Sequence, residues 1–229
     1  AEMFISNVIV FMRQTISARQ WLLDRKWDEG AHTSYLAFKG AELAGKSVGM
    51  IGFGAIGQLI ARMIENYPCQ IQYYDPFVDA SQFPAYKSMS LEEVFATSDI
   101  VSVHLPVTED TKGMIDKTLL GRMKGDALFV NTARAVVVNR NDLYDVLRAN
   151  KIKGAILDVF DHEPPDALDY KIIDLPNVLA TPHIAGATFE VEDHHVDILN
   201  ESLVNWFIHQ QKSARHLANR DVLSAPIQP

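Results

Sequence analysis

"SVGMIGFGAIGQLIARMI", Ser47 to Ile64, reads as a strand, a glycine turn and a helix in direct succession. Gly52, Gly54 and Gly57 stand there in the G-x-G-x-x-G pattern. The first glycine permits a tight turn, the second lets the backbone approach a pyrophosphate, and the third allows close helix-strand packing, while the helix N-terminus offers unpaired N–H groups to the anion. A glycine-rich turn that merely packs would show the same string, so the neighbours decide. The next apolar run, "QIQYYDP", closes on Asp75, about 18 residues past Gly57. An acidic side chain there accepts the hydroxyls of an adenosine ribose and repels a 2′-phosphate. Pro76, Phe77 and Val78 bring no Arg or Lys to rescue that phosphate, so NAD is favoured over NADP.

Downstream of Lys46, short apolar runs alternate with helical spacing as far as "VLATPH", and Ser90 with Glu93 forms a capping-box pair ahead of one such helix. This alternation predicts an α/β fold with a doubly wound parallel (Rossmann) sheet of six or seven strands. Upstream, Glu2 to Trp27 holds no Gly or Pro and carries Phe4, Val8, Phe11 and Ile5, Ile9, Met12, Ile16 at helical spacing. It is expected to be one long, heavily buried helix. The expected organisation is a leading helix and arm over 1–46, the dinucleotide-binding domain over 47–187, and a crossover helix (roughly Glu190 to Gln211) with a tail over 188–229, irregular after Asp221.

Among 229 residues, 48% are hydrophobic, enough for a proper core. A formal net charge of −8 without any Lys/Arg run argues against nucleic acid and anionic membrane as partners. The single cysteine, Cys69, cannot form an internal disulfide, which fits a reducing, cytoplasmic setting. "MFISNVIVFM" lacks the basic flank and cleavage site of a signal peptide and is interrupted by Arg13. No metal-ligand spacing surrounds the adjacent His194 and His195, so no metal is expected.

In an open parallel sheet, chemistry belongs at the carboxyl ends of the strands. Three later runs end in polar groups there: "FVNTAR" in Arg134, "ILDVFDHEPP" in Asp158 and Glu163, and "LATPH" in His183. Any one of these alone is ordinarily a surface charge or a packed histidine. Their convergence on one sheet edge that carries a cofactor signature changes the reading. A hydride-transfer reaction needs a group that gives or takes the alcohol proton, which histidine does near neutral pH. A neighbouring carboxylate favours imidazolium, and a guanidinium holds a substrate carboxylate by two-point contact.

"VGMIGFGAIG", "YYDP", "SVHLPVTEDTKGMID", "NTARAVVVNRNDL", "LDVFDHEPP" and "TPHIAGAT", in that order and spacing, resemble the cofactor half of the D-isomer-specific 2-hydroxyacid dehydrogenases, the group that includes phosphoglycerate dehydrogenases. The resemblance runs from Ala1 to about Phe207. It implies that Arg134 binds the substrate carboxylate and carbonyl, that His183 is the acid/base and that Glu163 pairs with it. It also places Ala55, Ile56, Asp75, Leu105, Pro106, Thr132, Ala133, Asp158, His183, Ala185 and Gly186 at cofactor contacts, beside the three turn glycines. Two positions depart from the family pattern: Ala135 replaces the usual Gly after the arginine, and Asn139 stands for the usual Asp. The resemblance further implies a substrate domain that this chain is expected to lack. It also implies that the segment to Leu43 wraps a partner subunit; the breadth of the leading helix's apolar face calls for cover by that domain or by a second copy, and a homodimer is expected in which the partner's helix covers Phe4, Val8 and Phe11.

Two readings follow for the activity. One is an oxidoreductase moving a hydride between NAD(H) and a small D-2-hydroxy or 2-keto acid, with this stretch alone binding NADH without turnover. The other is an NADH-sensing module of the corepressor type. Formate-oxidising relatives resemble a His-Gln pairing, whereas position 163 is an acid.

Overall fold

The computed structural model describes residues 1–29 and 33–211. The irregular tail expected after Asp221 lies outside the described residues. The chain divides into two compact units, Ala1–Ala185 and Gly186–Pro229.

Among the described residues of the first unit, three α-helices precede the sheet: α1 (Glu2–Met12), α2 (Thr15–Leu23) and α3 (Thr33–Ala37), with a 3-10 turn (Lys26–Glu29) after α2. Then β1 (Ser47–Ile51), α4 (Ala55–Ile64), β2 (Gln70–Tyr74), β3 (Lys87–Ser88), α5 (Leu91–Thr97), β4 (Ile100–Val103), α6 (Lys117–Leu120), β5 (Leu128–Asn131), α7 (Arg140–Arg148), β6 (Gly154–Leu157), α8 (Ala167–Ile173) and β7 (Val178–Ala180) follow. The seven strands form one sheet in the order β3-β2-β1-β4-β5-β6-β7, and every neighbouring pair is parallel. The order reverses direction between β1 and β4, which is the crevice where a doubly wound sheet binds its ligand.

Strands buried on both faces need unbroken apolar runs, and β1, β4, β5 and β6 are buried at every position. Val101, Phe129, Ala155 and Leu157 pack under α5 to α8 on one face, while Val48, Met50, Val130 and Ile156 pack under α1 and α4 on the other. The Ser90–Glu93 capping box forms as expected, with each side chain bonded to the other residue's backbone N–H.

The single long helix expected over Glu2 to Trp27 is two helices. Gln14 breaks it in the left-handed region (φ 54°, ψ 33°). The Met12 carbonyl, which a continuous helix would give to the N–H of Ile16, accepts instead from Ala41 N at 3.1 Å, so the returning chain docks where the helix stops. Burial changes at the same point. Phe4, Val8 and Met12 of α1 enter the core, whereas Ile16, Leu22, Leu23 and Trp27 are exposed. The expectation that Phe4 and Val8 form a subunit contact is therefore corrected: they are only 4% and 1% exposed because their own sheet covers them, and Phe11 packs on the same cluster.

In the second unit, α9 (Glu190–Phe207) ends four residues before the expected Gln211 and buries none of its residues.

Candidate active site

Because all strands are parallel, one edge of the sheet collects all their carboxyl ends. From β2 to β7 that edge carries Asp75, the glycine turn, Leu105 and Pro106, the Thr132–Arg134 loop, Asp158 with Glu163, and the loop of His183. Every site residue predicted up to Ala185 lies here. Gly186 opens the second unit.

Gly52 holds φ 92°, which a side chain rarely tolerates, and a Cβ there would come within 2.7 Å of the His104 carbonyl oxygen. A Cβ on the buried Gly57 would meet the Gly52 carbonyl oxygen at 2.7 Å, so α4 could not seat against the turn. Gly54 has no atom within 4 Å of its Cβ position, and Ala55 and Ile56 beside it are exposed. The N-terminus of α4 is thus open to an anion, with backbone N–H groups as donors. Asp75 braces this turn: one carboxylate oxygen accepts from Phe53 N at 2.8 Å and the other from Phe77 N at 2.9 Å. A carboxylate has about four lone-pair sites, so acceptor capacity remains for ribose hydroxyls. A tight turn, an open helix N-terminus and an acid at the end of β2 together fit a dinucleotide.

At the other end of the edge, His183 Nδ1 lies 2.8 and 2.9 Å from the two oxygens of Glu163. Both side chains are 44% exposed, so the pair faces solvent. Hydrogen bonding to His183 holds the Glu163 carboxyl below its ordinary range, and the nearby positive charge of Arg134 acts in the same direction. The pair itself lines a hollow of about 450 Å³ together with Phe160, Pro165, Tyr170 and Ile173.

Arg134 leaves the end of β5 through a loop built on Asn131. That side chain, 2% exposed, accepts from Ala133 N and donates to the Arg134 carbonyl, both at 3.0 Å. Ala135 opens a short 3-10 turn without a positive φ, so its Cβ is accommodated. Asn139 caps α7, accepting from Asn141 N and Asp142 N. Asn and Asp are equivalent in that role, which explains why the amide serves here.

Asp158 is fully buried, and its carboxylate is engaged by the next loop. It accepts from Thr181 Oγ1 at 2.6 Å, Ile184 N at 2.9 Å and Ala185 N at 2.8 Å. Those donors flank His183, itself in the left-handed region at φ 53°. The sequence reading did not single out Asn131 and Thr181, whose roles show only once these loops are folded. Nor did it find the cluster of Arg140 with Asp161, Asp166 and Asp169 behind Glu163, or the His162, Asp166 and Asp169 ligand atoms, which lie within 4.8 Å of one another.

The family described as "D-isomer specific 2-hydroxyacid dehydrogenase, NAD binding domain" matches residues 5–185. The chain is 57% identical over 223 residues to "Putative 2-hydroxyacid dehydrogenase YoaD" of Bacillus subtilis, an alignment covering 97% of this chain and 64% of that protein. Its fold matches the structure of D-2-hydroxyisocaproate dehydrogenase with a TM-score of 0.81 at 24% identity, over 93% of this chain and 66% of that one. It also matches the NAD-complexed form of a D-isomer specific 2-hydroxyacid dehydrogenase from Lactobacillus delbrueckii ssp. bulgaricus, with a TM-score of 0.76 at 26% identity, over 89% and 65% of the two chains. The chain thus spans about two thirds of the length of these relatives.

Proposed function

The chain belongs to the D-isomer specific 2-hydroxyacid dehydrogenase family through its NAD-binding domain, and we propose that it supplies the cofactor site and the proton-transfer pair of an NAD-dependent oxidoreductase acting on small D-2-hydroxy and 2-keto acids. The observation that carries this reading is the 2.8 Å His183–Glu163 pair on the sheet edge that also bears the glycine turn. When bound, NAD(H) supplies the hydride acceptor or donor.

The chain's own residues do the rest. The N-terminus of α4 binds the pyrophosphate, and Asp75 orients the ribose and disfavours a 2′-phosphate. Arg134 binds the substrate carboxylate through its guanidinium fork. His183 exchanges the hydroxyl proton through Nε2, since Nδ1 is committed to Glu163. The hydrogen bond to Glu163 fixes the ring and its tautomer. The dehydrogenase family and relatives support this reading over an NADH sensor.

We assign the reaction to a homodimer in the cytoplasm. The exposed Ile16, Leu22, Leu23 and Trp27 of the α2 region, with Tyr35 and Leu36 of α3, supply an apolar surface for a partner. Among the described residues no helix is long and apolar enough to cross a membrane.

The test is steady-state kinetics of the whole protein with a panel of 2-keto acids and the corresponding D-2-hydroxy acids. His183→Ala should lower kcat in both directions by about a hundredfold or more, the scale of positioned proton transfer. NADH-dependent turnover that survives His183→Ala unchanged refutes the assignment.

A further inference from the structure

We propose that Arg140 is a positioning residue, whose guanidinium grips the carboxylates on either side of Glu163 and so sets the Glu163–His183 contact. The inference rests on the acid/base reading above and extends it to a residue that reaches no reacting atom.

Arg140 opens α7, six residues after Arg134. Its Nε lies 3.1 Å from Asp161 Oδ2, and its Nη1 lies 2.8 Å from Asp166 Oδ2 and 3.2 Å from Asp169 Oδ1. These partners bracket Glu163, two residues before it and three and six after it. Asp169 is 3% exposed, and its second oxygen accepts from His162 N at 3.3 Å and Asp166 N at 3.2 Å. The backbone on both sides of Glu163 is therefore pinned to one carboxylate, and that carboxylate is pinned to Arg140.

Glu163 gains no comparable hold from its own side chain. Its hydrogen bonds run to His183 and, at 3.5 Å, to Phe160 N. Its place relative to His183 is thus inherited from the loop behind it.

The electrostatics favour a cation at this point, where His162 Nδ1 also lies 3.1 Å from Asp166 Oδ2. Three carboxylates converge, and the Oδ1 of Asp161 is buried without a hydrogen-bond partner. Burial pushes the Asp161 carboxyl up from its ordinary value, while Arg140 opposes the shift. The acidic trio of Asp161, Asp166 and Asp169 would repel itself without a countercharge. Although His162, Asp166 and Asp169 could together face a metal ion, the guanidinium already stands among these carboxylates. A planar fork with several donors meets three acceptors in fixed directions, which a point charge does less well. The cluster is a latch, joining the start of α7, just beyond the Arg134 loop, to the Glu163 loop.

The experiment is a histidine-selective NMR titration of the 229-residue chain, with the His183 resonance assigned by its loss in His183→Ala. Glu163 is the charged group in contact with that ring, and Arg134 acts on Glu163. Glu163→Gln gives the reference displacement of the His183 titration. Arg140→Gln should reproduce half or more of that displacement while NADH binding at the distant glycine turn stays as in the parent. Asp166→Asn keeps the α8 cap, since Asn caps as well as Asp, but loses the ion pair, and should shift His183 less in the same direction. Arg140→Lys should recover part of the parent titration.

If Arg140→Gln and Asp166→Asn both titrate like the parent while Glu163→Gln does not, the latch is overturned and the acid/base reading stands. If Glu163→Gln itself leaves His183 unmoved, the acid/base pairing fails, and the latch with it. Should Arg140→Gln not fold, Asp166→Asn decides alone.

Discussion

Asp158→Asn is the substitution that most directly tests how the His183 loop is held. The carboxylate accepts one backbone N–H on each oxygen, Ile184 on Oδ1 and Ala185 on Oδ2, with the Thr181 hydroxyl also on Oδ1. An amide of the same shape retains one oxygen and places an NH2 against the other backbone donor. One hydrogen bond to a buried charge is lost and one N–H is left facing a donor, a cost of about 2–4 kcal/mol. Spread over a domain of this size, that lowers Tm by roughly 5–15 °C. If the loop lets go by itself, amide exchange at Ile184 and Ala185 instead accelerates by about 30- to 1000-fold, while Val130 in the core of β5 keeps its parent rate. Both outcomes move His183, whose left-handed backbone is disfavoured by about 1–2 kcal/mol for a residue with a side chain. A displacement near 1 Å would cost the whole protein about a hundredfold in turnover. Parent-like Tm together with parent-like exchange at Ile184 and Ala185 would refute the reasoning.

Three further outcomes are expected. Asp75→Ala should narrow the preference for NADH over NADPH by about tenfold through loss of like-charge repulsion; because Asp75 also braces Phe53 N, the ratio of the two affinities, measured calorimetrically, is the informative quantity. His104, with its ring edge-on to Phe4 at 6.3 Å, has its pKa lowered from 6.5 to about 4 by desolvation. The unfolded state therefore binds the extra proton between these values, and stability falls as pH drops from 6.5 toward 4, by an order of magnitude of 2–3 kcal/mol. Denaturant titrations should show that slope and its loss in His104→Gln; equal slopes would remove the assignment. Finally, this 229-residue chain should bind NADH, read by fluorescence, yet consume it negligibly with pyruvate or hydroxypyruvate. His183 and Glu163 are each 44% exposed, so this edge faces solvent, where orientation and water exclusion contribute least, and brisk turnover would refute the expectation.

The parallel sheet was legible because its information is local: the apolar runs of β1, β4 and β5, the glycine turn and the Ser90–Glu93 box each declare themselves within a few residues. The first helix shows where local pattern stops being enough. Apolar spacing continues past Met12 through Ile16 to Leu22, but spacing reports only that a face exists, not that a sheet lies beneath it. What ends α1 is the Ala41 N–H, 29 positions beyond the carbonyl it claims. The site divides in the same way. Arg134, Glu163 and His183 were legible as residue types at strand ends, and the family resemblance gave them roles. The work of Asp158 was not visible from its motif, because a carboxylate's role is set by the donors that the fold brings to it. Those donors stand 23, 26 and 27 residues further along the chain. Arg140 is hidden for the same reason: in "NRNDL" it reads as a solvated charge on the first turn of a helix. Only the fold of 161–169 over that turn gives it three carboxylates to hold, so residues that position a site are found by tracing its buried hydrogen bonds outward rather than by lengthening the motif.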